Sequence, residues 1–283
     1  MKKIAFLFLT IENPNFPKLW DKYFRNNKDK FTIYLHPKFP DKVTWKRRNI
    51  INNLQETGWG FITRAYIELL KEAYKDENNY KFITISESCV PIQSFDNFYS
   101  DVINDSRSWI KSMPIKAYDY KARINIQETK PKPKVFLKNY ARFCLNREHV
   151  KILISSELNF FHKMHVGDEF FLSVLYPLKN VKDFDVIYDD WEFVIEKQKQ
   201  IKNQKRLLYE EQEIKKINKT KELNELNKEY QAISKNPKTI INVEDDLDKI
   251  NNCKSYFYRK FSVKSNIEKY WKQIIDYHLI KHG

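Results

Sequence analysis

Glycine is nearly missing from this chain: 4 among 283 residues, at positions 58, 60, 167 and 283. Glycine-rich loops let backbone N–H groups close on a phosphate, and neither G-x-G-x-x-G nor G-x-x-x-x-G-K-[ST] occurs here. A nucleotide, if one binds, is held by side chains and ordinary backbone. Cysteine is equally scarce. Cys89, Cys144 and Cys253 are an odd number without C-x-x-C spacing, so they impose no disulfide framework and no zinc site. Long apolar runs are also lacking, since no window reaches the ~20 apolar residues that cross a bilayer. Met1-Lys-Lys followed by Ile4 to Thr10 has the look of a signal peptide. The run is too short, and Glu12, Asn13 and Pro14 cut it off without a small-residue cleavage site. It reads as a buried first strand, and the expected location is cytoplasmic.

Aromatic residues are plentiful: 20 Phe, 17 Tyr and 6 Trp, within 42% hydrophobic residues. That supply fills a sizeable core and excludes disorder throughout. Fifty-one Lys and Arg against 37 Asp and Glu leave a net charge of +14. Such a balance suits a polyanion, whether nucleic acid, a diphosphate-bearing donor or an anionic glycan. Abundant Lys, Asn and Ile also follow from an A+T-rich coding sequence, so much of the excess reads as solvated lysine. No nucleic-acid-binding motif occurs, and the positive charge is spread along the chain rather than gathered in a stripe.

Ile4 to Thr10 is a continuous apolar run, as in a strand covered on both faces. Pro17 to Asn26 has helical character, and Phe31 to His36 is a second strand stopped by Pro37. Trp59 to Tyr74 carries a helical apolar stripe through Ile62, Ala65, Tyr66, Leu69, Leu70 and Ala73. Tyr80 to Ile85 is a third strand, running into Ser86-Glu-Ser-Cys-Val-Pro91. This alternation predicts an α/β fold with a doubly wound, mostly parallel sheet. Ligands then sit at the carboxyl ends of the strands, here Thr10-Ile11-Glu12, His36-Pro37 and Ser86-Glu87-Ser88. Lys111 to Lys134, broken by Pro114, Pro131 and Pro133, reads as a long loop over that face. Tyr140 to Leu145 is a strand, Arg147 to Ser155 a helix, Gly167-Asp168-Glu169 the start of another helix, and Phe184 to Tyr188 a strand. From 192 to 234 the composition turns to Lys, Glu, Gln and Asn with sparse Leu and Ile, the signature of an exposed helical insertion. The expected organisation is a catalytic domain over 1–191, the insertion over 192–234, and a return to the catalytic domain over 235–283. Its functional use would be a partner or self-association surface, and a solvated insertion without chemistry is the favoured reading.

Several segments, in order, resemble the core-2/I-branching glycosyltransferases (glycosyltransferase family 14) with their plant and viral relatives. They are Ile33-Tyr-Leu-His36, Trp59-Gly60, Ser86-Glu-Ser-Cys-Val-Pro91, Asp168-Glu169-Phe170, Asp190-Trp191 and Tyr258-Arg-Lys-Phe261. The resemblance implies a GT-A-like (Rossmann-like) fold and an inverting, metal-independent transfer from a UDP-sugar, foremost UDP-N-acetylglucosamine, to a hydroxyl of a glycan or glycoprotein. It implies no cofactor and no metal. It assigns Glu169 as the base that takes the acceptor's proton, a role general base chemistry requires. Lys260, with Arg259 beside it, matches the basic residues that neutralise the leaving diphosphate, and Lys238 is the nearest match for a second, upstream cation. Glu87, Ser88, Arg123, Asp168, Trp191 and His36 fall where the family's substrate contacts lie, although His36 stands where some members carry an acidic residue. The sequence Asp183-Phe-Asp185 spells a metal-binding Asp-x-Asp, but it follows the base instead of the third strand, so it reads as a chance match. His149, His162 and His165 have no metal-ligand spacing. A nucleic-acid-binding protein or an inactive transferase-fold scaffold are the competing readings.

Overall fold

A computed structural model describes residues 1–47, 49–113, 137–177, 179–215, 218–233 and 236–282. The elements of the first half are β1 (Lys3–Thr10), α1 (Pro17–Tyr23), β2 (Phe31–Pro37), α2 (Thr63–Tyr74), β3 (Asn79–Ser86), β4 (Val90–Pro91), α3 (Phe95–Asn104) and β5 (Ser108–Met113). The second half brings β6 (Lys138–Asn146), α4 (Arg147–Ser155), α5 (Asn159–Lys163), β7 (Val181–Lys182), β8 (Ile187–Asp189), α6 (Glu192–Lys215), α7 (Thr220–Ile233), α8 (Leu247–Asn251), β9 (Phe257–Arg259) and α9 (Ile267–His282). Among the described residues, the central sheet has six strands in the order β2-β1-β3-β6-β5-β7. Strand β1 runs parallel to both β2 and β3, β6 is antiparallel to β3 and β5, and β7 is parallel to β5. A second sheet of three strands, β4-β9-β8, lies beside it. The architecture is mixed α/β and GT-A-like.

The apolar run of β1 is buried because it is paired on both edges and covered on both faces. Its alternation sorts residues onto two cores. Ile4, Phe6 and Phe8 face α1, α3 and the small sheet, packing with Trp20, Tyr23, Phe24, Phe95, Phe98 and Phe257. Phe6 lies edge-on to Phe24 with ring centroids 4.9 Å apart, the offset geometry that aromatic quadrupoles favour. Ala5 and Leu7 face the other way, onto Leu69, Leu70 and Ala73 of α2 and Val150 and Leu153 of α4. Local signals start the helices: Pro17 opens α1, Ser94 caps α3 by accepting from Asn97 N–H, and Asn146 caps α4 by accepting from His149 N–H.

The structure departs from the sequence expectations in three places. Helix α2 begins at Thr63, not Trp59, because Gly60 turns the chain at φ 79° and Gly58 bridges to Phe61. Gly167–Glu169 is a short 3-10 turn and does not open an α-helix, so no helix dipole acts on Glu169. Lys111 to Met113 are not loop but the end of β5; the rest of the expected loop, 114–134, lies outside the described residues.

Candidate active site

The parallel strands β1, β2 and β3 end together, and the segments that follow them are laced to one another. Ile11 N–H donates to Glu87 Oε2 at 2.7 Å, and Asn15 N–H donates to Glu87 O at 2.8 Å. Phe261, just after β9, donates its N–H to Ser88 O at 3.1 Å, and its own carbonyl accepts from Asn15 Nδ2 at 3.0 Å. A cleft of about 470 Å³ opens here, lined by Ile11, Glu12, Asn13, Asn15, Glu87 and Val263. The edge of the sheet that α/β enzymes use for ligands is thus tied to the C-terminal Tyr258–Phe261 segment.

Next to it, β6 continues past its last ladder pair with β3, Ile83↔Cys144, along the carboxyl end of that strand. Lys138, Tyr140 and Arg142 alternate along β6 as half-buried positions between buried Asn139, Ala141 and Phe143. Each meets an acidic partner or neighbour. Lys138 Nζ lies 3.4 Å from Glu169 Oε2. Arg142 Nη2 lies 3.0 Å from Asp189 Oδ2, and Arg259 Nη1 donates to Asp189 Oδ1 at 2.9 Å. Asp189 is therefore a buried carboxylate clasped by two guanidiniums, at the ends of the parallel pair β8 and β9 (Asp189↔Arg259). Burial raises its carboxyl to about 6, against the pull of Arg142 and Lys260, while Glu169 adds to the rise. Asp185 is raised to about 7, first by burial and then by Asp189.

The expected site residues divide into two groups. Glu169, Lys260, Arg259 and Asp168 belong to this constellation: Glu169 and Lys260 both act on Asp189, and Asp168 acts on Arg142. Lys260 Nζ also reaches Asn236 Oδ1 at 3.3 Å. The others serve the scaffold or lie elsewhere. Lys238 gives its ammonium to Asp246 at 2.6 Å. His36 is fully buried, accepts from Gln55 N–H at 2.8 Å, and is shifted below its usual range by burial. Ser88 is buried, with Ser86 Oγ 3.4 Å from its hydroxyl. Glu87 spends its carboxylate on the Ile11 backbone. Trp191 is half-buried where the chain enters α6. Arg123 lies outside the described residues.

Sequence reasoning passed over Arg142 and Asp189, and it used Trp59 only for the Trp59-Gly60 resemblance and the helical stripe. Trp59 and Phe61 are 67% and 48% exposed, with centroids 5.0 and 5.6 Å from the His165 ring. Val166 N–H, which bonds to Gly60 O, joins that loop to the turn bearing Glu169. Asp183 pairs with Lys111 at 2.9 Å and is exposed, whereas Asp185 is half-buried near Asp189. Among the described residues no cluster of three or more His, Cys, Asp or Glu is placed to hold a metal ion.

The Core-2/I-Branching enzyme family description matches residues 4–219, which run from β1 past the end of α6. The chain belongs to that family. Among curated proteins it is similar to Glycosyltransferase BC10 of rice (Oryza sativa subsp. japonica), 28% identical over 170 residues. The alignment covers 55% of this chain and 41% of the rice protein, so the chain spans about two-fifths of that relative's length. The Core-2/I-Branching match includes Arg142, Asp168, Glu169 and Asp189. It stops before Arg259, at the end of β9, and Lys260, which follows it. No described helix is long and apolar enough to cross a membrane.

Proposed function

We propose that this Core-2/I-Branching protein is an inverting glycosyltransferase that works without a metal and uses a UDP-sugar, foremost UDP-N-acetylglucosamine, to glycosylate a hydroxyl of a glycan or glycoprotein. The observation that supports the reading is the meeting of Arg142 and Arg259 on Asp189, which ties β6, whose Lys138 pairs with Glu169, to the C-terminal segment bearing Lys260. Inverting transfer needs a base on one side of the anomeric carbon and positive charge on the other. Glu169 takes the acceptor's proton as the hydroxyl attacks, and the bond to the diphosphate breaks on the opposite face. Lys260 and Arg259 stabilise the charge that develops on the departing UDP. Trp59 and Phe61 offer flat apolar faces for the acceptor's sugar rings, and exposed Leu207 and Tyr209 on α6 offer a surface for self-association.

Incubation with a panel of UDP-sugars and glycan acceptors, in EDTA and in Mn²⁺, tests the reading. A product of inverted anomeric configuration, formed equally well in EDTA, is expected. A retained configuration, or turnover only with Mn²⁺, would overturn the mechanism.

A further inference from the structure

We propose that Arg142 is the second cation of the diphosphate site, and that Asp189 is a positioning residue holding Arg142 and Arg259 side by side. The inference rests on the glycosyltransferase reading and deepens it, since the sequence pointed to Lys238 for that role. Lys238 is committed to Asp246 at 2.6 Å. Arg142 instead reaches the same carboxylate as Arg259, at 3.0 Å against 2.9 Å.

A guanidinium carries five N–H donors in a fixed fork. In both arginines the Nε–H is buried and has no hydrogen-bond partner among the described residues. Buried donors are nearly always paired, and leaving one on a cation unpaired costs stability. Two such orphans, on neighbouring guanidiniums that share one carboxylate, mark a place that acceptor oxygens complete. The charges agree. Arg142, Arg259, Lys260 and Lys138 bring four positive charges to the constellation, Asp189, Asp168 and Glu169 set three negative charges against them, and the Asp185 carboxyl, raised to about 7, is only partly ionised. Phosphate oxygens match the guanidinium fork in geometry and in sign. Without Asp189 the two guanidiniums would repel each other and separate, and the fork for a bridging diphosphate would be lost.

The test is UDP binding by calorimetry in EDTA, with melting curves for every variant. Wild type binds, and Lys260→Gln weakens binding. Arg142→Gln lowers affinity about tenfold to a hundredfold, the range for a charge-assisted hydrogen bond. Arg142→Lys keeps the charge without the fork and recovers part of that loss. Lys238→Gln binds within about twofold of wild type. Asp189→Asn lowers affinity too, and adding Arg142→Gln to it brings little further loss, a coupling that a purely structural role would not produce. Should the Arg142 variants not fold, wild type still decides: UDP must protect Arg142 from modification by phenylglyoxal, read by mass spectrometry. UDP binding lost in Lys260→Gln but kept within twofold in folded Arg142→Gln, or no protection of Arg142, would overturn the inference and leave the transferase standing. Absence of UDP binding by wild type would overturn the transferase reading and this inference with it.

Discussion

Glu87 accepts the backbone N–H of Ile11 at 2.7 Å, so the carboxyl end of β3 holds the segment leaving β1. A carboxylate used in this way is part of the frame of the cleft. Glu87→Gln keeps an acceptor oxygen and should melt close to wild type. Glu87→Ala removes a charge-assisted bond and should cost about 1–3 kcal/mol in urea unfolding. If the two variants unfold alike, the Ile11 contact carries no stability.

Glu169 lies 3.4 Å from Lys138 and keeps 31% of its side chain exposed, which suits the proposed base. Glu169→Gln should lower kcat by about 100- to 10,000-fold, the usual value of general base catalysis, while leaving UDP affinity unchanged. An active Gln variant would move the base elsewhere.

Lys238 and Lys260 separate stability from binding. Lys238→Gln leaves Asp246, which is 6% exposed, without its cation and should destabilise the fold by about 1–3 kcal/mol. Lys260→Gln, at a half-buried position in the constellation, should instead melt normally and lose UDP affinity. Thermal melts run beside calorimetry distinguish the two, and a reversed pattern would exchange their roles.

Asp185 makes stability depend on pH. Its carboxyl is raised from 3.8 to about 7 in the folded protein by burial and Asp189. The native state therefore binds this proton more tightly than the unfolded chain does. Its contribution to stability is complete below the unfolded value and is lost as pH rises through about 7. Wild type should melt progressively lower from about pH 5 to pH 8, and Asp185→Asn should flatten that slope and melt higher at pH 8. Equal slopes in the two proteins would show that Asp185 ionises in both states alike.

Strand β1 was legible in the sequence because burial on both faces writes itself as an unbroken apolar run, and β2 and β3 were legible through their aromatic and β-branched residues. The proposed base was legible only through Asp168-Glu169-Phe170, and its local structure was misread. A Cβ on Gly167 would collide with Phe161 O, so only glycine fits at the start of the 3-10 turn that stands where a helix was expected. Strand β5 is short and mixed in character, and it takes its shape from pairing with β6. Arg142 carried no signal at all. It faces Asp189 only because β6 extends past its ladder with β3 while β8 aligns with β9, and no local pattern records that meeting.

The excursion through α6 and α7 leaves after β8 and returns where Lys238 N–H donates to Asp190 O at 3.1 Å, before the chain completes the small sheet with β9. Departure and return share one doorway, so the hairpin behaves as a cassette. A reporter domain or an epitope spliced between α6 and α7 would travel with the protein while the two guanidiniums on Asp189 keep their places, giving a handle on the molecule that leaves its chemistry alone.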